Sequence, residues 1–143
     1  MGDFKVVKTR SGMGDPEMIP WVAGGTFEEG DSLILSSGEV IKSTDDAATV
    51  FAIAKSAGAD GEVANIVLLT PDVVVEGVDI SGTAAVAGDT VGINLTDDVL
   101  TFENDGTNQH GVVIKVVDAT AKIIQVVFPV ALTGVTLAGL APA

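Results

Sequence analysis

The stretch "EGDSLILSSGEVIKSTDD" (Glu29–Asp46) is answered later in the chain by "AGDTVGINLTDDVLTFENDG" (Ala87–Gly106). Both open on Gly-Asp and continue with alternating apolar residues. Both then turn on small or acidic residues and alternate again. In the second stretch Val91, Ile93 and Leu95 fall on one face, and Thr90, Gly92 and Asn94 on the other. A period of two is the mark of a half-buried strand. Each stretch therefore predicts a β-hairpin. One pairs Leu33–Leu35 with Glu39–Ser43 across "SSG". The other pairs the strand at Val91–Leu95 with Val99–Glu103 across Thr96-Asp97-Asp98.

On either side of these hairpins the same reading extends along most of the chain. Strands are expected at Phe4–Lys8, Thr49–Ala54, Glu62–Thr70 and Val73–Val78, and in "GVVIKVV" and "KIIQVVF", which "DATA" joins. In that last pair Val112, Ile114 and Val116 are expected to face the core opposite Ile124, Val126 and Phe128, with Lys115 and Gln125 outward. Asp45–Ala57 is Ala-rich enough for a helix, but Thr49, Val50 and Ile53 favour a strand. About nine or ten short strands at near-regular spacing predict an all-β fold, a compact antiparallel barrel or sandwich spanning residues 24–128. Residues 1–23, broken by Gly12, Gly14, Pro16 and Pro20, are expected to form an extended arm with an anchor at Ile19–Val22. Residues 129–143, "PVALTGVTLAGLAPA", carry no charged side chain and form an apolar tail. They are too short and too broken to span a bilayer, so they are expected to lie on protein.

Composition agrees. In 143 residues, 47% are hydrophobic while aromatics reach only 4%, so the core is built from Val, Ile, Leu and Ala. Net charge is −13. That repels phosphate backbones and anionic lipid, arguing against nucleic-acid and membrane partners. No cysteine is present, which removes disulfide and thiolate chemistry and fits a reducing cytoplasm. No apolar signal segment follows Met1. Asn94-Leu95-Thr96 matches a glycosylation acceptor, a pattern frequent by chance.

Reactive chemistry is sparse. His110, the single histidine, reads as a solvated loop residue, with no placed acid and serine beside it. One His and no Cys cannot make a zinc site. The pairs Glu28-Glu29, Asp45-Asp46 and Asp97-Asp98 fall at predicted turns, where a carboxylate satisfies backbone donors. "ENDGTN" (Glu103–Asn108) lacks the spacing and closing acid of a calcium loop and reads as a plain turn. No catalytic, cofactor-binding or metal residue is assigned. Trp21 has two readings, a plug for the end of this chain's own barrel or an interface anchor.

The stretch from Phe27 to Phe128 resembles the tailed-phage capsid decoration, or cement, proteins. The resemblance rests on the Gly-Asp turn and short hairpin, the Ala-rich strand, the "DGE" turn, the Val-rich strand, the later Gly-Asp-x-Val hairpin and the closing "GVVIK". It implies a tulip-like β-barrel and a homotrimer on the outer surface of an icosahedral head. There it would bind the major capsid protein and strap neighbouring capsomers together, with no cofactor and no reaction. Made in the host cytoplasm, it would reside in the virion. On this view Phe4, Lys5, Val7, Lys8, Arg10, Met18, Ile19 and Trp21 contact the capsid. Phe128, Val130, Leu132, Val135, Leu137 and Leu140 pack within the trimer. Two other classes compete. A trimeric dUTPase-like enzyme is opposed by the absence of Tyr and by the single Arg, Arg10. A receptor- or carbohydrate-binding domain of a fibre or adhesin would need aromatic platforms, for which Trp21 and five Phe give little material.

Overall fold

The computed structural model describes residues 3–9 (backbone alone for 7–9) and 16–129. Over these residues the protein is all-β, with eleven strands in two antiparallel sheets and no helix. The strands are β1 (Lys5–Thr9), β2 (Ile19–Val22), β3 (Ser32–Ser36), β4 (Glu39–Lys42), β5 (Ala52–Ala54), β6 (Val63–Leu68), β7 (Val73–Val78), β8 (Thr90–Thr96), β9 (Val99–Glu103), β10 (Gly111–Asp118) and β11 (Ile123–Val127). One sheet has the order β2-β6-β5-β3-β4, the other β1-β7-β11-β10-β8-β9.

Apart from β1, the two orders are the same topology run twice. β2, β3, β4, β5 and β6 match β7, β8, β9, β10 and β11. The two hairpins legible in the sequence occupy the same place in each half. Both turn on two residues with positive φ, Ser37 and Gly38 (52° and 81°) in one, Asp97 and Asp98 (50° and 65°) in the other. That is the two-residue turn whose twist suits paired strands. Before each hairpin, a Gly with φ near 90° sits third in a β-turn, Glu28–Asp31 or Val86–Asp89. The following aspartate folds back in the same way. Asp31 Oδ2 accepts Glu28 N–H, and Asp89 Oδ2 accepts Val86 N–H, both at 2.9 Å. Each turn then grips the matching strand. Gly30 N–H donates to Ala54 O and Ala54 N–H to Asp31 O, while Gly88 N–H donates to Val113 O and Val113 N–H to Asp89 O. Each sheet also curls toward closure through one parallel bridge, Ala23 to Val40 and Asp79 to Phe102.

Two apolar clusters follow from this duplication. Ala23, Phe27, Leu33, Val40, Phe51, Ala52, Ala54, Ala64 and Ile66 fill the inside of the first sheet. The second cluster joins the inside of the second sheet, from Val91, Phe102, Val113, Ile124 and Val126, to the back of the first, from Ile53, Val67 and Leu69. β5 and the second half of β6, at Ile66 and Val67, are thus buried on both faces, which is why they run apolar without clean alternation.

Several expectations change. The stretch read as an arm contributes β1 to the edge of one sheet and β2 to the edge of the other, and Phe4 enters the core 4.6 Å from the Phe102 ring. Only Ala52–Ala54 of the expected 49–54 strand is extended in a ladder. Phe51, just before it, donates its N–H to Leu33 O and accepts Leu69 N–H, and the preceding loop is tied to β8 through Asp46 N–H to Ile93 O and the Asp45 carboxylate to Leu95 N–H. In β10 only part of the expected pattern holds: Lys115 is exposed as expected and Val116 pairs with Ile124. Val113 is buried, whereas Ile114 and Val116 are exposed, and register breaks at Val113/Lys115 and Val116/Asp118 shift the alternation. Gln125, expected outward, is buried beside Glu76, to which its amide donates at 3.3 Å.

Candidate interaction surface

The polar side chains singled out by sequence are occupied with holding loops. Asp45 Oδ1 accepts Leu95 N–H at 2.9 Å and the Asn94 amide at 3.3 Å. Asp46 accepts Asn108 N–H at 2.9 Å and Thr107 N–H at 3.3 Å, and its own carbonyl takes the Asn108 amide. Within Glu103–Asn108 the carbonyls of Asn104 and Gly106 accept the Gln109 amide at 2.7 Å each. These are the oxygens a cation would use in such a loop, and here they converge on a side-chain NH2. Among the described residues no group of three His, Cys, Asp or Glu gathers as metal ligands.

Asp79 is the residue that sequence reading missed. It is buried, and it accepts Ser81 N–H and Ser81 O–H on Oδ1 and Ala85 N–H on Oδ2. Its place in the first half is taken by Ala23, so neither composition nor period points to it. The other missed group is a charge cluster. Lys42 Nζ lies 2.8 Å from Asp98 Oδ1 and 3.7 Å from Asp31 Oδ2. Burial pushes the Asp31 carboxyl up from its ordinary value, against the Glu28 N–H and Lys42, which favour the charged form. Burial pulls the Lys42 ammonium down, but the Asp98 hydrogen bond and the charges of Asp31, Asp98 and Asp3 together carry it above its ordinary value. His110 is half-buried rather than solvated, and its Nε2 is buried without a hydrogen-bond partner.

The expected contact residues separate into groups. Phe4 and Phe128 are core residues, so their side chains are engaged inside the domain. Lys5 and Met18 are exposed, and Ile19 and Trp21 are half-buried. Trp21 donates Nε1–H to Gly38 O at 2.9 Å and meets the Phe51 ring edge-on at 5.1 Å. It closes the end of the first sheet and, with Pro20, Val22, Gly38 and Val63, borders an open surface depression. The side chains of Val7 and Lys8, and all of Arg10, Val130, Leu132, Val135, Leu137 and Leu140, lie outside the described residues.

A different patch stands out on the second sheet. Ile114 (36%), Val116 (37%) and Val117 (44%) on β10 are exposed, as is Val78 on β7, on the far side of β11. β8 pairs with β10 only at Gly111 and Val112. From Ile114 to Asp118 the β8-side edge of β10 therefore has no ladder partner among the described residues. Apolar side chains beside an open strand edge are what protein surfaces normally avoid unless a partner covers them.

No family model matches this chain, and no curated protein matches its sequence.

Proposed function

We propose that this protein is a non-catalytic structural component of a virion. It binds the outside of an icosahedral phage head as a homotrimer and stabilises it by bridging major capsid protein subunits. The observation that carries the reading is how the side chains are used. The acidic groups of the turns and loops serve backbone N–H groups and Lys42, while apolar Val78, Ile114, Val116 and Val117 remain exposed. A chain arranged in this way is suited to covering and fastening. The resemblance of its turns and hairpins to decoration proteins names what would be fastened. Three copies of a modest contact combine through effective concentration into firm attachment.

The capsid-facing surface is placed at the exposed part of residues 3–22, at Lys5, Met18 and the rim around Trp21. Because Phe4 and β1 belong to the folded core, point changes test this better than deletion. The wild-type protein should cosediment with purified expanded heads, and Lys5→Glu with Met18→Glu should weaken that binding while the melting temperature of the free protein holds. Equal binding by the double variant rejects this surface. Absence of binding by the wild type rejects the function. The depression bordered by Trp21 and Pro20 favours one second reading, a carbohydrate-binding domain of a fibre or adhesin, since sugars stack on partly exposed aromatic rings. Glycan-array binding lost in Trp21→Ala would support it.

A further inference from the structure

The duplication shows what normally lies on the open edge of β10. Ala54 and Val113 are equivalent, because each exchanges the same two hydrogen bonds with its Gly-Asp turn. Residues 55–58 of the first half therefore correspond to residues 114–117 of the second. In the first half this edge is covered. Phe27 N–H donates to Gly58 O and Gly58 N–H to Phe27 O, an antiparallel bridge, and the Phe27 ring lies over Gly58 so closely that a Cβ there would meet Cζ at 2.3 Å.

In the second half the counterpart of Phe27 is Ala85, since Glu28 and Val86 hold equivalent turn positions. Its N–H is turned away to Asp79 Oδ2. The segment that would have covered β10 is thus folded around a buried carboxylate, and the edge at Ile114–Val117 stays bare. Ile53 and Val67, paired on the back of the first sheet, are buried against the second half. Their counterparts are Val112 and Val127, and beyond Val112 the apolar Ile114 and Val116 are exposed.

We propose that the β10 edge at Ile114–Val117 is a docking site for the uncharged segment 130–143 of a second copy of this chain, added as an antiparallel strand. Three observations select this occupant. No charged side chain follows Lys122, whereas the chain as a whole carries −13, so this is the longest stretch that can approach another copy without repulsion. Its Val, Leu and Thr content suits a strand on an apolar face. At roughly 3.3 Å per residue it reaches roughly 45 Å when extended, ample for a neighbouring molecule. Geometry selects a second copy over the same molecule. β11 delivers Pro129 at the Gly111 end of β10, so a tail turning back over its own sheet would run parallel to β10. The Phe27 precedent is antiparallel, the sense a neighbour's tail can adopt from the Asp118 end.

This inference rests on the self-association in the proposed function. Its test reads crosslinks in solution rather than attachment to heads, so either can fail alone. The chain has no cysteine, which gives a clean background. Full-length Val116→Cys is mixed with full-length Val135→Cys or Leu137→Cys and oxidised gently. A mixed disulfide between copies is expected with at least one tail position, and not when Val63→Cys, exposed on the other sheet, replaces Val116→Cys. In sedimentation equilibrium, Val116→Lys should weaken self-association at least about tenfold with unchanged thermal unfolding of the fold, because an unpaired ammonium would have to leave water. A monomeric wild type, no mixed disulfide with either tail position, or Val116→Lys self-associating like wild type would each overturn the proposal.

Discussion

Replacing Asp79 by alanine tests how the second half is built. The carboxylate is buried and holds two backbone N–H groups, of Ser81 and Ala85, at 2.9 Å each, together with the Ser81 hydroxyl. The hydroxyl has a second partner, since Ser81 Oγ accepts Asn104 N–H, and it can rotate. The two amides have no alternative acceptor in place. Leaving a buried donor unsatisfied costs about 1–3 kcal/mol each. Removing a buried carboxylate recovers some desolvation, so the net loss should be about 3 kcal/mol. For a domain of this size that lowers Tm by roughly 6–12 °C. Asp89→Ala is the internal comparison. Its carboxylate takes one exposed N–H, from Val86, and its loss should cost about 0.5–1 kcal/mol. Urea unfolding of both variants gives the difference, and amide exchange should speed up at Ser81 and Ala85 in the first variant only. A loss below about 1 kcal/mol for Asp79→Ala, or equal losses in the two variants, would show that the carboxylate does not organise the 80–86 segment.

Further outcomes are expected from packing and charge. Gly92→Ala places a Cβ 2.0 Å from the Asn108 carbonyl oxygen, a backbone atom that cannot swing away, and should cost at least about 3 kcal/mol, whereas Gly82→Ala, with nothing nearer than 3.7 Å, should stay within about 0.5 kcal/mol in the same unfolding assay. Phe27→Ala empties the first sheet's interior and should cost about 3–5 kcal/mol by thermal unfolding. For Lys42 the folded pKa lies above the ordinary value of 10.5, so its contribution is full below that pH and is lost as pH rises through the raised value. Lys42→Met should therefore lower stability near neutrality and flatten the alkaline fall in Tm. Asp31 has a folded pKa raised above 3.8, so its contribution is full below 3.8 and is lost as pH rises through the raised value.

Much of the fold was legible in the chain because strand signals are local. Val73–Val78 and Val99–Glu103 match the expected strands residue for residue, and both hairpins turn where small or acidic residues accept positive φ. The illegible parts depended on distant partners. The exposure of Ile114 and Val116 was missed because two register breaks and an open strand edge are invisible in a regular alternation. β1 and β2 were set outside the barrel because Gly and Pro mark breaks in the chain but do not specify which sheet edge receives the next segment. The repeat was visible as two hairpins, yet its extension to whole half-domains was hidden by unlike equivalents, Ala23 with Asp79 and Phe27 with Ala85. The exposed edge is a product of those two exchanges. Sequence reading therefore found a strand there and could not find a surface.

Whether this molecule reinforces a viral shell is decided by calorimetry of purified, expanded, empty phage heads with and without the full-length protein. Saturating protein should raise the shell's melting temperature, with the increase levelling off at a fixed number of bound copies. Shell melting that is unchanged at saturating protein would refute the proposed role.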